Sequence, residues 1–197
     1  MIQVCDDFFK NPYDVRKVGL KQDYYQFWNY PGFRSHEVPE WIVNSVQSNV
    51  REIVKDPTLD ISDGPIFHFI TKEFREGIFH ADPHKYISIV YLSLDPSLDS
   101  GTEVCDSDQE EMPRKLMKGE YVRKIQGDHH KDPSNLIKRF KYDRMIKKVN
   151  SYYKPIIKLP NKFNRGVIFP AGYFHRAQKS FGTSIENARL TMVTFFK

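Results

Sequence analysis

Three separated groups of residues in this sequence have the side chains that metal-dependent oxygen chemistry requires. His80 and Asp82 are separated by one residue, and a further histidine, His175, follows far downstream. Two imidazoles and one carboxylate form the ligand set that binds a non-haem Fe(II) ion on one face and leaves the opposite face open. Near the C-terminus, Arg189 has the guanidinium that would bind a dicarboxylate co-substrate through two parallel hydrogen bonds. The order of these residues predicts an iron-dependent oxidation site.

The spacing within this set indicates the elements that must position it. Residues i and i+2 point to the same side of an extended backbone, so the side chains of His80 and Asp82 can reach one metal ion. His175 follows a Pro-Gly turn after an apolar stretch, which places it at the edge of a predicted strand. In the last predicted strand Arg189 and Thr191 share one face, so a cation and a hydroxyl would lie side by side in an otherwise apolar barrel.

The rest of the chain predicts helices first and strands after them. Asn11 and Pro12 predict the start of a helix that runs to about Leu20. Apolar side chains at three- and four-residue steps predict a second helix over residues 39–55. Predicted strands cover residues 2–4, 66–70, 86–94, 102–105, 156–159, 166–169 and 189–196. This order is typical of an α+β fold built on an antiparallel jelly-roll sandwich.

Two regions fall outside this pattern of strands. Residues 24–33 form an aromatic loop that we expect to pack helices against the sheet. Residues 106–153 form an insertion after the first ligand pair, a candidate lid or substrate platform with a helix over residues 132–152. We expect the His129-His130 pair in a polar surface turn at its tip. The predicted inward side chains of the helix are Leu136, Phe140, Val149 and Tyr153.

Basic residues are concentrated in one segment of the chain. The formal net charge is +5, but residues 114–148 contain 12 Lys and Arg against 4 Asp and Glu, so the remainder is slightly acidic. Such a surplus suits an acidic partner, including nucleic acid, and it also suits a solvated helical face. Both interpretations stay open from the sequence.

Length, cysteine content and hydropathy restrict the class of protein. The 197 residues suit one domain with a packed core. Cys5 and Cys105 form no C-x-x-C pair, so neither a disulfide framework nor a thiolate metal site is predicted. The N-terminus lacks a signal-peptide pattern, and no apolar run reaches the ~20 residues of a membrane span. We therefore expect a cytoplasmic protein that does not associate with membranes.

Taken together, these motifs resemble the Fe(II)- and 2-oxoglutarate-dependent dioxygenases, and among them the prolyl-4-hydroxylase-like branch. The resemblance extends over most of the chain. His80-Ala81-Asp82 is similar to the H-x-D motif of the family, and the segment ending at His175 is similar to the one that delivers its distal histidine. The matching segments are 4–12, 80–82, 89–93, 100–103 and 164–175, with Ser100-Gly101 in place of the family's Gly-Gly turn.

The resemblance implies a fold, a ligand set and a reaction. The implied fold is a double-stranded β-helix (jelly-roll, cupin-like) core, with N-terminal helices packed on the sheet and a helical insertion. His80, Asp82 and His175 are implied as the iron ligands and catalytic residues. The implied cofactor and co-substrates are Fe(II), 2-oxoglutarate and O2.

Two arginines are candidates for binding the co-substrate. The resemblance implies that Arg189 binds the distal carboxylate of 2-oxoglutarate, with Tyr91 as a hydroxyl partner and Thr191 as a weaker contact. Arg176, next to His175, is the rival, but adjacent residues on a strand point to opposite faces. The 14-residue spacing from His175 to Arg189 is slightly long for the family and requires a bulge or a longer loop. The choice between the two arginines stays open here, with Arg189 favoured.

We therefore predict one oxygenase domain over residues 1–197 that hydroxylates a C–H bond of a small molecule or peptide. Its predicted parts are a helical support (1–64), a jelly-roll core (65–105 and 154–197) and a basic insertion or lid (106–153). Two alternatives stay open: a nucleic-acid-acting oxygenase of the same superfamily, and a non-catalytic jelly-roll binding module that uses the basic segment. Against the first, the second arginine of that group would fall at Phe195. The residues do not distinguish a peptidyl proline from a free amino acid or another small molecule.

Overall fold

The computed structural model of the chain describes residues 1–27 and 30–197. Within these ranges it contains four α-helices and ten β-strands. The helices are α1 (Pro12–Leu20), α2 (Glu40–Val54), α3 (Gly119–Lys131) and α4 (Leu136–Asn150). The strands are β1 (Gln3–Cys5), β2 (Tyr24–Gln26), β3 (Phe33–Ser35), β4 (Ile61–Ile70), β5 (Tyr86–Tyr91), β6 (Thr102–Cys105), β7 (Pro155–Leu159), β8 (Gly166–Pro170), β9 (His175–Ala177) and β10 (Arg189–Phe196). Among the described residues, no helix has both the length and the apolar character needed to cross a bilayer.

Two antiparallel sheets form the core. The larger has seven strands in the order β1-β8-β5-β10-β4-β3-β2, and the smaller has three in the order β7-β6-β9. Apolar side chains of both sheets pack together, among them Ile87 and Phe169 from the larger and Val104 and Leu159 from the smaller. This arrangement is the double-stranded β-helix, so the predicted jelly-roll core is confirmed.

The N-terminal helices cover one face of the larger sheet. Because side chains alternate along a strand, Leu190 and Met192 of β10 point one way and Arg189 and Thr191 point the other. The first pair belongs to the same buried cluster as Val46 of α2. The second pair is therefore directed to the inside of the barrel, where the sequence predicted a cation and a hydroxyl.

Helix α4 buries a different face from the one that the sequence predicted. Val149 and Tyr153 are buried, as expected, but 66% of Leu136 and 69% of Phe140 are exposed, so these two predictions are wrong. The helix begins later than expected, at Leu136, and is capped by the side chain of Asn135. At 3.6 residues per turn, Leu136 and Phe140 lie about half a turn away from the buried stripe. That stripe consists of Tyr142, Met145, Ile146 and Val149.

Helix α3 is absent from the sequence prediction, and it contains the His129-His130 pair. Both imidazoles are fully buried, and the ring of His129 stacks on Tyr142 with 4.3 Å between the ring centroids. The predicted polar surface turn is therefore wrong. Gly119 and Gly127 weaken the helical signal of this segment, and packing against α4 outweighs their low propensity.

The aromatic segment 24–33 contributes two strands rather than only a loop. Strands β2 and β3 form an antiparallel hairpin, and β3 pairs with β4 to extend the larger sheet. Trp28 and Asn29, which belong to the predicted loop, lie outside the described residues. Of the two cysteines, Cys105 is buried and Cys5 is only partly buried.

Candidate metal centre

His80, Asp82 and His175 meet at one point of the structure. The Nε2 atom of His175 is 3.3 Å from Oδ2 of Asp82, and the Nε2 atom of His80 is 3.8 Å from the same oxygen. One ligand atom from each residue lies within 4.8 Å of the other two. The three residues that the sequence singled out as metal ligands are therefore in place to share one ion.

Backbone hydrogen bonds position these residues. His80 and His175 form an isolated antiparallel bridge, in which each N–H donates to the other's carbonyl at 3.0 and 2.9 Å. The N–H of Asp82 donates to the carbonyl of Ala171 at 2.9 Å. His175 is the first residue of β9, in agreement with its predicted place at a strand edge. The bridge thus joins two remote segments of the chain at the backbone of two of the three residues.

The two imidazoles are held in the tautomer that a metal needs. Nδ1 of His80 donates to the carbonyl of Ile78 at 2.9 Å, and Nδ1 of His175 donates to the carbonyl of Tyr173 at 2.8 Å. A carbonyl oxygen can only accept, so the proton of each neutral ring is on Nδ1 and the lone pair is on Nε2. Both lone pairs are directed toward the carboxylate of Asp82.

This arrangement places acceptors against an acceptor. Oδ2 of Asp82 is buried and, within the described part of the chain, has no hydrogen-bond partner. With both rings neutral, two imidazole lone pairs and a carboxylate oxygen cannot hydrogen-bond to one another, and a cation bound among them would stabilise their approach. Two nitrogens and one oxygen, with an open side, are the donors of non-haem iron sites. The residues therefore fit a bound metal ion of this type.

The protonation states of the site agree with this interpretation. Desolvation within the cavity and the neighbouring His175 lower the pKa of His80 to about 4, although 55% of its side chain is exposed. Burial raises the pKa of Asp82, but His175 and His80 outweigh burial, so that pKa lies below its ordinary value. At neutral pH the site thus has a neutral His80 and an ionised carboxylate, the forms that bind metal ions.

The three ligands line a cavity of about 480 Å³. A volume of this size is typical of sites for small molecules. The whole inner face of β10 contributes to its wall, as the sequence predicted from strand alternation. These residues are Arg189, Thr191, Val193 and Phe195.

Arg189 is the buried cation of this wall. Only 3% of it is exposed, its Nε donates to the carbonyl of Ser100 at 2.8 Å, and its Nη2 donates to the carbonyl of Gly101 at 3.3 Å. A side chain at position 101 would not fit, because a Cβ atom would lie 1.9 Å from the carbonyl oxygen of Leu159. The Ser-Gly turn therefore keeps the glycine that brings its backbone against the arginine.

Tyr91 and Thr191 lie near this arginine. The ring centre of Tyr91 is 5.6 Å from Cζ of Arg189, and its hydroxyl donates to Oγ1 of Thr102 at 2.7 Å. Burial raises the pKa of Tyr91, so its hydroxyl remains protonated and able to donate. Thr191 lines the cavity and its hydroxyl donates to the carbonyl of His68 at 3.2 Å.

Arg176, the rival, is engaged elsewhere. Its guanidinium forms an ion pair with the buried carboxylate of Glu103 at 2.7 Å and a second ion pair with Glu76. It also lies over the ring of Phe79, at 4.9 Å from the ring centre. Alternation along β9 thus sends His175 to the metal site and Arg176 to a carboxylate pair on the other face.

Several cavity residues have no counterpart in the sequence prediction. Tyr30 and Arg34 come from the hairpin region, Gln126 comes from α3 and Tyr142 comes from α4. Arg34 faces the cavity because β3 pairs with β4, a register that no local pattern of the sequence reveals. Gln126 and Tyr142 reach the cavity because the insertion packs against barrel residues outside it, among them Phe79 and Cys105.

Comparisons with known proteins find similar structures but no similar family model or curated sequence. Family models and curated protein sequences give no match to this chain. Solved structures match it over nearly its whole length. HygX from Streptomyces hygroscopicus, in a structure with nickel, 2-oxoglutarate and hygromycin B bound, has a TM-score of 0.61 at 13% identity, covering 99% of this chain and 82% of its own.

Two further structures have the same architecture. A prolyl hydroxylase from Trichoplax adhaerens, in complex with a peptide fragment of the hypoxia inducible factor oxygen degradation domain, has a TM-score of 0.55 at 8% identity, covering 99% of this chain and 82% of its own. SnoN, a non-haem α-ketoglutarate-dependent epimerase from nogalamycin biosynthesis, has a TM-score of 0.56 at 7% identity, covering 100% and 77%. The chain has the fold of the Fe(II)- and 2-oxoglutarate-dependent oxygenases. The predicted resemblance is thus confirmed for the fold, and in this oxygenase fold His80, Asp82 and His175 form the group that could bind the metal.

Proposed function

We propose that this protein is an Fe(II)- and 2-oxoglutarate-dependent dioxygenase that hydroxylates a C–H bond. The observation that carries the proposal is the convergence of His80, Asp82 and His175, with both Nε2 lone pairs aimed at a carboxylate oxygen that has no hydrogen-bond partner among the described residues. These three residues would hold the ion and act as the catalytic group. The chemistry that Fe(II) and 2-oxoglutarate supply is decarboxylation to succinate and CO2, with one oxygen atom of O2 entering succinate and the other entering the substrate.

Arg189 is our proposed anchor for the distal carboxylate of 2-oxoglutarate. It lines the same cavity as the three ligands, whereas Arg176 is occupied by two carboxylates. Its guanidinium is fixed by two backbone carbonyls, so a carboxylate would meet a cation that is already oriented. The hydroxyls of Tyr91 and Thr191 are proposed as further contacts.

The remaining wall would exclude water from the reacting groups. Ile87, Ile89 and Val193 give the cavity an apolar lining. Gln126 and Tyr142 from the insertion also line it, which supports the assignment of residues 106–153 as a cover over the substrate. The size of the cavity favours a small molecule or one side chain of a peptide as the substrate.

Oxygen-dependent conversion of 2-oxoglutarate tests the proposed reaction. Protein reconstituted with Fe(II) without oxygen, and then exposed to O2, should convert 2-oxoglutarate to succinate, at least slowly without substrate. Succinate is measured by mass spectrometry. The variant Glu103→Gln, which changes a residue outside the cavity, serves as the control for loss of succinate formation through destabilisation of the fold alone. Folded protein that binds metal and forms no succinate at any pH tested would contradict the enzyme assignment.

A second candidate is favoured by the exposed cations of α4. Lys141, Arg144, Lys147 and Lys148 are exposed on the insertion, as expected for a surface that binds an acidic partner or nucleic acid. A binding module without catalysis predicts no stoichiometric metal site, which equilibrium dialysis with Co(II) decides. Loss of nucleic-acid binding on reversing the charges of Lys147 and Lys148 would instead favour a nucleic-acid-acting oxygenase.

A further inference from the structure

Arg34 is a cation of the cavity wall to which the reaction proposed above gives no role. It lies on β3 opposite His68 of β4, and His68 lies opposite Thr191 of β10. Residues directly opposite each other on neighbouring strands share a face of the sheet. All three side chains line the cavity, so Arg34 extends the polar row of the inner face away from Arg189.

The guanidinium of Arg34 is held in place, yet one of its donors is unused. Its Cζ atom is 3.5 Å from the centre of the Tyr30 ring, a contact that fixes the plane of the group. Its Nε atom is buried and has no hydrogen-bond partner in the part of the chain that the structure describes. The Nε of Arg189, in contrast, donates to a backbone carbonyl. A buried donor of a charged group is costly to leave unpaired, so its position favours an incoming acceptor.

The charge of Arg34 acts on its neighbours in the cavity. After the larger effect of burial, it helps to lower the pKa of His68. Asp82 and Asp63 attract it, but Asp82 belongs to the proposed metal site and Asp63 is exposed to solvent. The formal charges of Fe(II), Asp82, 2-oxoglutarate and Arg189 cancel. When Fe(II) and 2-oxoglutarate are bound, Arg34 therefore has no buried counter-ion among these groups.

We infer that Arg34, stacked on Tyr30, binds an anionic group, a carboxylate or a phosphate, of the substrate that is oxidised at the metal centre. Nε and a terminal nitrogen of a guanidinium form a fork that donates two parallel hydrogen bonds to two oxygens of such a group. The role of the bound molecule as substrate rests on the proposed function, whereas the anion site itself does not. The substrate class is accordingly small acids or phosphorylated molecules rather than neutral or cationic ones.

The test observes the unpaired donor itself. The protein is loaded with Zn(II), which does not react with O2, and with 2-oxoglutarate to fill the Arg189 site. Inorganic phosphate and acetate are then titrated in separate experiments while the arginine Nε–H signals are followed by NMR. The Arg34 signal, identified by its loss in Arg34→Lys, should shift downfield and saturate with one of the anions. The signal of Arg144, an exposed arginine of α4, should not saturate.

Variants distinguish a specific anion-binding site from a general effect of charge. Arg34→Met should weaken binding of the anion about tenfold or more, as expected when a charge-assisted hydrogen-bonded pair is lost. Arg34→Lys keeps the charge and should bind more tightly than Arg34→Met. Tyr30→Leu removes the stacking and should also weaken binding, which keeps the test valid if Arg34→Met does not fold.

The outcomes are distinct. Saturation with acetate indicates a carboxylate substrate, and saturation with phosphate indicates a phosphorylated one. An Arg34 signal that moves only in parallel with that of Arg144, or equal binding by the wild-type protein and Arg34→Met, would overturn the inference. Failure to form succinate would overturn the proposed reaction alone, because the titration can be repeated on metal-loaded protein without 2-oxoglutarate.

Discussion

The barrel and the helical insertion line the same cavity, but their side chains are directed by different constraints. In the barrel, alternation along β10 places Arg189 and Leu190 on opposite faces, with Arg189 in the cavity wall and Leu190 in the cluster packed against the N-terminal helices. In the insertion, the orientation of α4 depends on packing against Phe79 and Cys105, which are remote in sequence. The three proposed metal ligands are all placed on the barrel, while the insertion contributes Gln126 and Tyr142 to the cavity wall.

The two regions meet at the segment directly before His80. The hydroxyl of Tyr142 donates to the carbonyl of Glu76 at 3.0 Å, and the amide of Asn150 bonds to both Gly77 and Phe79. The insertion is thus attached to the backbone that precedes the proposed metal ligand His80. A disturbance of α4 should reach the metal centre through these bonds, and the predictions below compare that effect with damage to the barrel itself.

Asp82→Ala should have the largest effect, because it removes one of the three proposed metal ligands. We expect loss of succinate formation and a fall in metal affinity of more than about 100-fold, since even a lost support of a ligand costs 10- to 100-fold. Co(II) binding followed by absorption spectroscopy measures this. Asp63→Asn, which changes another cavity carboxylate that lies outside the ligand group, serves as the control. Equal metal affinity of both variants would contradict the assigned ligand set.

Arg189→Gln should come next, because it removes a charge-assisted contact and keeps the metal ligands. The KM for 2-oxoglutarate should rise about 10- to 100-fold while metal affinity is retained. Arg176→Gln provides the comparison: it leaves the buried carboxylate of Glu103 with one cation fewer and should lower the melting temperature instead. A steep rise in KM for Arg176→Gln, with none for Arg189→Gln, would make Arg176 the anchor.

The same contrast explains what could be predicted from the sequence. His80, Asp82, Arg189 and Thr191 face the cavity as expected, because a period of two and a turn are local features that determine direction. The buried face of α4 was mispredicted at Leu136 and Phe140, and α3 was missed. Helical direction there depends on a cap at Asn135 and on partners that are far away in sequence.

Arg34 illustrates a second limit of local patterns. It lies on a three-residue strand, too short to show a period, and its direction follows only from the pairing of β3 with β4. The convergence of His80 with His175 was predictable only because the ligand types themselves are informative. An isolated arginine carries no such information, since arginine is usually exposed.

Asn150→Ala should have an intermediate effect, because it cuts the insertion from the segment before His80. Its side chain bonds to the carbonyl of Gly77 at 3.0 Å and to the N–H of Phe79 at 3.2 Å. At about 1 kcal/mol for each bond, the free energy of unfolding should fall by about 2 kcal/mol. Metal affinity should fall as well, but less than in Asp82→Ala. Chemical denaturation and Co(II) titration measure the two effects.

A variant of the outward face of α4 is the matched control for Asn150→Ala. Phe140→Ser changes an exposed side chain on the same helix and should leave both unfolding and metal affinity close to wild type. A loss of metal affinity in Phe140→Ser equal to that in Asn150→Ala would mean that the insertion acts on the site through something other than the bonds of Asn150.

The smallest effect should come from Asp6, which ties the first strand to the barrel away from the cavity. Its carboxylate accepts from Arg165 at 2.6 Å and from Lys162 at 2.7 Å, and these partners lower its pKa. A lowered pKa in the folded state stabilises the fold above the unfolded value of about 3.9, and this contribution is lost as the pH falls below it. Because 38% of the side chain is exposed, solvent screening limits the contribution to about 1 kcal/mol.

Asp6→Asn should therefore lower the free energy of unfolding at pH 7 and have little effect on it near pH 2. Equal destabilisation at both pH values would assign Asp6 a packing role instead.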